Sequence, residues 1–465
     1  MPRYVLAYSG GLDTSVMLKW LQETHGAEVV TFTADLGQKR ELEGVREKAL
    51  ATGASRAVVA DLRHEFIHEY VWPSLKAGAL YQGIYPMATS LGRPLIAKHA
   101  VRVAREVGAD AFVHGCTGKG NDQVRLEIGV RTLAPELRCM APLRDWELRS
   151  REEEIEWARR RGIPVSATAA SPYSIDENLW GLAIEAGALE DPWAAPPDDC
   201  WQLTTDPARA PERGEEITIT FEAGIPVALD HEAQDGVQLV EQLNHVAGMH
   251  GVGRLDVIED RLVGIKSREV YEAPAATVLH AAREALEQLV LDRETRRLKA
   301  MLGQELARLV YDGLWFTPLC EAIRAFVDTA TQPLSGEVRM RLHRGTAVAV
   351  GRRSAQALYD HALATYGSGD AFDHRAATGF IELFGLAGRT TAAVRRRALD
   401  VASAKLAAVP HVDALAQLAP APHVDALTQL AATPPADAAA RVEPLRRSGP
   451  ASRSARRTVT GRAMR

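Results

Sequence analysis

Over its first 165 residues the chain alternates short runs of β-branched and aromatic residues with amphipathic stretches of helical period. The runs at 3–8, 28–33, 56–60 and 111–114 read as strands, and 14–25, 41–51 and 95–107 read as helices. Strands separated by helices are not joined as hairpins, so this order predicts an α/β fold built on a doubly wound parallel sheet. Sheets of that kind meet their ligands at the carboxyl ends of the strands. The segments after 3–8 and after 111–114 are therefore where a ligand is expected.

The first of them is AYSGGLDTS, comprising Ala7, Tyr8, Ser9, Gly10, Gly11, Leu12, Asp13, Thr14 and Ser15. Two adjacent glycines permit positive φ and close backbone approach, so successive N–H groups can point into one concavity, and the helix behind adds partial positive charge. That combination cradles phosphate oxygens. Ser9, Thr14 and Ser15 add hydroxyl donors, while Asp13 can cap the helix or help to hold a Mg²⁺ carried by a nucleotide. The plain alternative is a Gly-Gly turn followed by an Asp/Thr helix cap. Neither G-x-x-x-x-G-K-[ST] nor G-x-G-x-x-G is present here. The pattern S-G-G-x-D-[ST] instead resembles the loop of PP-loop ATP pyrophosphatases, which cleave ATP between its α and β phosphates and adenylate a substrate.

The second segment is HGCTGKGNDQVRLE, residues 114–127. It gathers Gly115, Gly118 and Gly120 with Thr117, Lys119, Asn121, Asp122 and Arg125. Asp122 suits an ammonium, Thr117, Asn121 and backbone N–H groups suit carboxylates, and the planar fork of Arg125 suits another carboxylate. This mixture fits a zwitterion, against the alternative of a solvated polar turn.

Near residue 166 the pattern changes to a loop-rich stretch containing DPWAAPPDDCW, then to a strand at 216–221. Beyond Tyr271 the chain reads as a long amphipathic helix over 276–311, another over 317–328, a hairpin of 337–342 with 346–350, and helices at 354–363 and 376–384. This predicts an α+β portion over 166–365 following the α/β portion of 1–165, then C-terminal helices over 366–404 and a low-complexity tail over 405–465. Residues 401–465 hold 18 Ala, 7 Pro and no aromatic residue, a composition that predicts disorder. Within them HVDALAQLA recurs once, as HVDALTQLA, too few copies for a solenoid.

The chain carries a net charge of −5, yet residues 441–465 contain eight Arg and one acid, so the rest is more acidic than the whole. An acidic body argues against nucleic acid as the partner, because neutralising phosphates needs a cationic surface. Four widely spaced cysteines, Cys116, Cys139, Cys200 and Cys320, predict inert thiols in a reducing compartment. No signal-peptide pattern and no run of 18 apolar residues occurs, which predicts a soluble cytoplasmic protein without a membrane partner.

Six segments in series resemble the argininosuccinate synthase family: AYSGGLDTS, ADLGQ, YPMATS, HGCTGKGNDQVR, YSIDENLWG and GVGRLDVIEDRLVGIKSREVYE. The resemblance covers about residues 3–390. It implies a ligase that condenses citrulline with aspartate through a citrullyl-adenylate, releasing pyrophosphate and then AMP, in arginine biosynthesis. It implies ATP along residues 7–15, beside Ala34 and Gly115, with Mg²⁺ travelling on the nucleotide. It also implies aspartate at Thr117, Asn121 and Asp122, and citrulline at Tyr85, Ser90, Asn121, Arg125, Ser174, Glu259 and Tyr271. A homotetramer built partly by the C-terminal helices is implied as well. Taken singly, Tyr85 and Tyr271 read as core aromatics with satisfied hydroxyls, and Glu259 as a surface ion-pair partner of Arg254 or Arg261.

The chain departs from the family at Leu182 and Ala183, where relatives carry Arg and Ser. The missing hydroxyl is expected to weaken citrulline binding, a lost hydrogen bond to a charged ligand group being worth ~1.5–3 kcal/mol. Leu126 and Gly92 replace Phe and Ala, and the tail beyond about Lys405 has no family counterpart. Pyrophosphate departure needs in-line positioning and fixed donors, with no covalent nucleophile from the protein. The base that deprotonates the aspartate amine is not identified by the sequence; a carboxylate, a phosphate oxygen or water all serve. Two rival functions are a tRNA-thiolating enzyme using Cys116 and a nucleotide-binding protein that has lost catalysis.

Overall fold

The computed structural model describes residues 1–38, 42–148, 150–164 and 173–407. Strands β1 (Arg3–Ala7), β2 (Glu28–Asp35), β3 (Arg56–Asp61), β4 (Ala111–Val113) and β5 (Arg138–Met140) form a parallel sheet in the order β3-β2-β1-β4-β5. The strand order reverses between β1 and β4, the position at which a doubly wound sheet opens a crevice. Alternation along β1 explains why both faces are covered. Tyr4 and Leu6 join the core containing Val16, Met17, Leu18 and Leu21 of helix Leu12–His25 and Ala158 of helix Arg151–Arg160. Val5 points the other way, into the core containing Leu91 and Leu95 of helix Ala88–Val107. Each fully buried leucine contributes about 1.5–3 kcal/mol.

The strands that follow are all antiparallel: β6 (Ser174–Asn178), β7 (Gly181–Glu185), β8 (Glu215–Glu222), β9 (Ile225–Leu229), β10 (Glu232–Ala233), β11 (Arg254–Asp260), β12 (Lys266–Glu272), β13 (Gly336–His343) and β14 (Thr346–Arg353). They form one sheet in the order β11-β12-β7-β6 and another in the order β10-β9-β8-β13-β14. The fold is thus the expected parallel α/β sheet joined to an α+β portion. Residues Met1–Phe372 make one compact unit, and the described residues beyond it, 373–407, belong to a second. The second contains helices Ala376–Phe384 and Leu386–Ala407.

Several elements differ from the sequence expectation, each for a local reason. The helix expected over 276–311 is two, Pro274–Val290 and Arg293–Tyr311. Asp292 separates them, its carboxylate accepting from the N–H groups of Glu294 and Thr295 at 3.0 Å each, a cap hidden within an otherwise continuous apolar period. Of 354–363 only His361–Ala364 is helical, because the Ser354 hydroxyl accepts from the Gln356 N–H at 2.9 Å and turns the chain locally. The helix expected at 95–107 begins at Ala88 and runs through Gly92 and Pro94; thirteen of its residues are buried, and that packing outweighs poor propensity. The helix expected over 41–51 is Val45–Thr52. Helices Asp122–Leu133 and Gly236–Met249 and the hairpins β6–β7 and β11–β12 were not anticipated as elements. The duplicated segment and the arginine-rich terminus lie outside the described residues. Among the described residues no helix is long and apolar enough to cross a membrane.

Candidate functional site

Between β1 and helix Leu12–His25 the backbone turns at Gly10, whose φ is +80°, a conformation that glycine adopts without steric cost. The turn is held from all sides. Thr33 donates its hydroxyl to the Tyr8 carbonyl at 2.6 Å, the Gly11 N–H donates to the Ser9 hydroxyl at 3.2 Å, and the Ser15 hydroxyl donates to the Gly11 carbonyl at 2.7 Å. Ser15 also shares a hydrogen bond of 3.0 Å with the Tyr8 hydroxyl. Gly11 precedes the helix without a side-chain cap, so the amides of the first turn keep their capacity for an anionic ligand. Lys48 adds a donor that the motif does not contain, its ammonium reaching the Gly10 carbonyl at 2.5 Å. Asp13 lies in the first helical turn, beside Glu154. Burial, with the charge of Asp13, pushes the Glu154 carboxyl up to about 8.

A first cleft opens above this turn. Ala7, Tyr8, Ser9, Thr14, Ala34 and Gly115 line it, together with Phe32, Leu36, Ile96 and Leu126 as apolar walls. Gly10 and Gly11 form the turn, and Leu12 and Asp13 the start of the helix, rather than the cleft wall, and Ser15 is fully buried beneath it. A methyl group on Gly115 would approach Thr14 Cγ2 to 3.2 Å, so the glycine keeps the floor between β1 and β4 low.

The second cleft follows from strand register. Asp176 pairs with Ala183, and Ser174 with Glu185, across β6 and β7; Tyr271 pairs with Ala183 across β7 and β12, and Leu255 with Tyr271 across β11 and β12. Side chains alternate along a strand, so Ser174, Asp176, Ala183, Glu185, Glu269, Tyr271 and Glu259 share one face. That face looks onto Thr117, Asn121, Asp122 and Arg125 from the loop after β4, and onto Tyr85. Eight of the nine residues expected for the two amino acids therefore line one cavity. The ninth, Ser90, is fully buried next to it, its hydroxyl without a hydrogen-bond partner. The two clefts share Ser9, Arg93, Gly115, Cys116 and Asp176 and are continuous there.

Tyr311, at the end of helix Arg293–Tyr311, organises the far end of this cavity and was missed by sequence reasoning. Its hydroxyl accepts from Asn121 Nδ2 at 2.7 Å and donates to Glu259 at 2.5 Å, while Tyr271 donates to the other Glu259 oxygen at 2.7 Å. Glu259 is thus paired with two phenols rather than with Arg254 or Arg261. Arg125 lies over the Tyr311 ring and donates to the Tyr311 carbonyl at 2.8 Å. Asn121 Oδ1 accepts from the Leu262 N–H at 2.9 Å, so both ends of that amide are already held. Tyr85 stacks on Tyr271 with ring centroids 3.9 Å apart.

Charge is concentrated where the clefts meet. Asp122 accepts from Arg93 at 2.7 Å and from Arg125 at 2.9 Å, and Asp176 accepts from the same Arg93 nitrogen. Burial works against the Asp122 carboxylate, yet Arg93 and Arg125 hold it at about 2. Burial pushes the Cys116 thiol up to about 12, with Asp122 adding to the effect; it stays protonated and is a poor nucleophile. Arg261 bridges Glu185 and Glu269 on the opposite wall, and burial, with the charge of Glu185, raises Glu269 to about 8.

Two family models match the chain: the arginosuccinate synthase N-terminal HUP domain over residues 3–164 and the arginosuccinate synthase C-terminal domain over 173–391. The chain is 52% identical over 393 residues to an argininosuccinate synthase of Chlorobium phaeobacteroides, covering 84% of this chain and 98% of that protein. It is also 52% identical over 389 residues to the argininosuccinate synthase of Chlorobaculum tepidum, covering 83% and 97% respectively.

Proposed function

The chain belongs to the argininosuccinate synthase family, and from that premise we propose how its own residues divide the work. It is an ATP-dependent ligase that condenses citrulline and aspartate to argininosuccinate, AMP and pyrophosphate. We assign the nucleotide to the first cleft, with the phosphates on the amides of residues 9–15, the adenine beside Ala34 and the α-phosphate near Gly115. The capless helix start and the positive φ of Gly10 support this placement. Asp13 is the carboxylate we assign to Mg²⁺; one carboxylate with phosphate and water oxygens is a donor set that suits this hard cation, which supplies charge neutralisation of the departing pyrophosphate.

Citrulline we place on the β-sheet face of the second cleft. The Glu259 carboxylate takes its ammonium and the Arg125 guanidinium its carboxylate, with Tyr85, Ser90, Asn121, Ser174 and Tyr271 orienting the chain. Aspartate we place at Thr117, Asn121 and Asp122, where the carboxylate held at about 2 stays charged for an ammonium. The ureido oxygen then attacks the α-phosphorus and pyrophosphate leaves along the glycine turn. The aspartate amine attacks the activated carbon and AMP leaves. Donors fixed before the reaction stabilise each leaving charge without reorganisation.

The observation that carries this assignment is the continuity of the two clefts at Ser9, Arg93, Gly115, Cys116 and Asp176, because adenylation requires the α-phosphate and the ureido group in one space. Purified protein given ATP, Mg²⁺ and citrulline is expected to exchange labelled pyrophosphate into ATP. Adding aspartate is expected to release AMP and argininosuccinate. Exchange that is indifferent to citrulline would sink the assignment.

We further propose that the chain divides functionally at 1–165, 166–365 and 366–404, that it works in the cytoplasm, and that it assembles as a homotetramer. Phe380, Ile381, Leu383 and Phe384 leave an apolar surface exposed on helix Ala376–Phe384, which supports burial between subunits. Light scattering that returned a monomer would refute the tetramer.

A further inference from the structure

We propose that Asp176 is the base that takes the first proton from the ammonium of aspartate. The inference rests on the placement of aspartate at Thr117, Asn121 and Asp122. Asp122 and Asp176 both accept from Nη2 of Arg93. Two acceptors of one planar nitrogen lie within about 5 Å of each other, so an ammonium donating to Asp122 has Asp176 in reach of a second N–H. Both side chains keep surface open toward the cavity, 26% for Asp122 and 36% for Asp176. Asp176 also lines the first cleft, so it stands at the junction of the two spaces, where we place the adenylated ureido group.

The groups facing Asp176 divide the labour between the two carboxylates. Thr89 and Arg93 come from helix Ala88–Val107, and Cys116 and Asp122 from the segment after β4; Ala183 opposite it on β7 brings no charge. Asp122, clamped by Arg93 and Arg125, stays ionised and binds. Asp176 has Arg93 and the neutral Thr89 in place of a second cation, and burial together with the charge of Asp122 raises its carboxyl above the usual range. Two carboxyl groups driven apart in this way divide into binder and base. Glu269 is raised too, but its partners are Arg261, Ser267 and Glu185, on another part of the wall.

The step balances. The aspartate nitrogen arrives with three protons and ends with one. Asp176 accepts the first, and the freed lone pair forms the bond to the activated carbon. The carbon–oxygen bond to AMP breaks, its electron pair leaving on the phosphate. The second proton passes to that phosphate oxygen as it gains charge.

The test compares two nucleophiles in the Asp176→Asn variant of the full chain. Citrulline-dependent pyrophosphate exchange, which needs no aspartate, is expected to stay within about threefold of wild type. Argininosuccinate formation is expected to fall about 100-fold or more, in kcat rather than in the KM for aspartate. Methoxyamine, whose amine is unprotonated at neutral pH and needs no base, is expected to release AMP from the adenylate at the wild-type rate. Asp176→Glu should recover at least tenfold over the Asn variant, and Glu269→Gln should leave the methoxyamine-to-aspartate ratio unchanged.

Normal argininosuccinate formation by Asp176→Asn would overturn the proposal. So would equal losses with both nucleophiles, equal rates in the Glu and Asn variants, or loss of pyrophosphate exchange. The substrate placement beneath it fails separately, if Asp122→Asn leaves the KM for aspartate unchanged.

Discussion

The Lys48 ammonium donates to the carbonyl of Gly10 at 2.5 Å, fastening helix Val45–Thr52 to the glycine turn that precedes helix Leu12–His25. The bond occupies that carbonyl, an acceptor of the turn that would oppose the phosphates we assign to its amides. Lys48→Met removes it while keeping the aliphatic stem. A hydrogen bond to a charged group contributes about 1.5–3 kcal/mol, so the KM for ATP is expected to rise about tenfold or more, with the KM for citrulline nearly unchanged. Initial-rate kinetics with each substrate varied in turn will show the split.

Gly10 sits at φ +80°, where a β-branched residue costs about 1–3 kcal/mol of backbone strain. Gly10→Val is expected to relieve that strain by rebuilding the turn and scattering its amides. Pyrophosphate exchange should drop by about 100-fold or more, while citrulline is expected still to bind in calorimetry, because the residues we assign to it line the second cleft and not the turn. Retained exchange would deny the turn its role.

Ala183 lies between Asp176 on β6 and Tyr271 on β12 and lines the second cleft. Ala183→Ser adds one hydroxyl to that wall without altering the ladder. The KM for citrulline is expected to fall about three- to tenfold, the equivalent of one hydrogen bond to a polar ligand. An unchanged KM would mean that water already fills the role.

Glu154 is buried beside Asp13 and its carboxyl stands at about 8 against an ordinary 4.5. A carboxyl raised on folding holds its proton better in the native state. Its contribution to stability is complete below pH 4.5 and is lost as the pH climbs through 8. Glu154→Gln cannot ionise, so it should gain on wild type between pH 5 and pH 9, by on the order of 2 kcal/mol at the alkaline end. Thermal melts at the two pH values provide the measurement.

What the amino-acid string discloses depends on how local each cause is. The parallel sheet is legible because period and order suffice, and the glycine turn because its residues are contiguous. Asp176 stands two residues from Ser174 within a recognised segment, yet without the β6–β7 register nothing says that both face the cavity. Arg93 is embedded in a helix whose start was placed seven residues too late. Tyr311 meets Asn121 across 190 residues, and the helix that delivers it was read as the end of a longer one. Lys48 and Glu154 flank the turn from helices that carry no motif. These residues owe their roles to packing between distant segments, which no single window of sequence contains.

The wall common to both clefts has a kinetic corollary. A mixed anhydride of a urea is prone to hydrolysis, and an enzyme that made it in one chamber and consumed it in another would expose it in transit. With Ser9, Arg93, Gly115, Cys116 and Asp176 belonging to both spaces, the placement we propose has the adenylate form within reach of its second partner. Commitment of citrulline to product is then governed by whether aspartate is in place before water is, so that futile loss of ATP should grow as aspartate runs short.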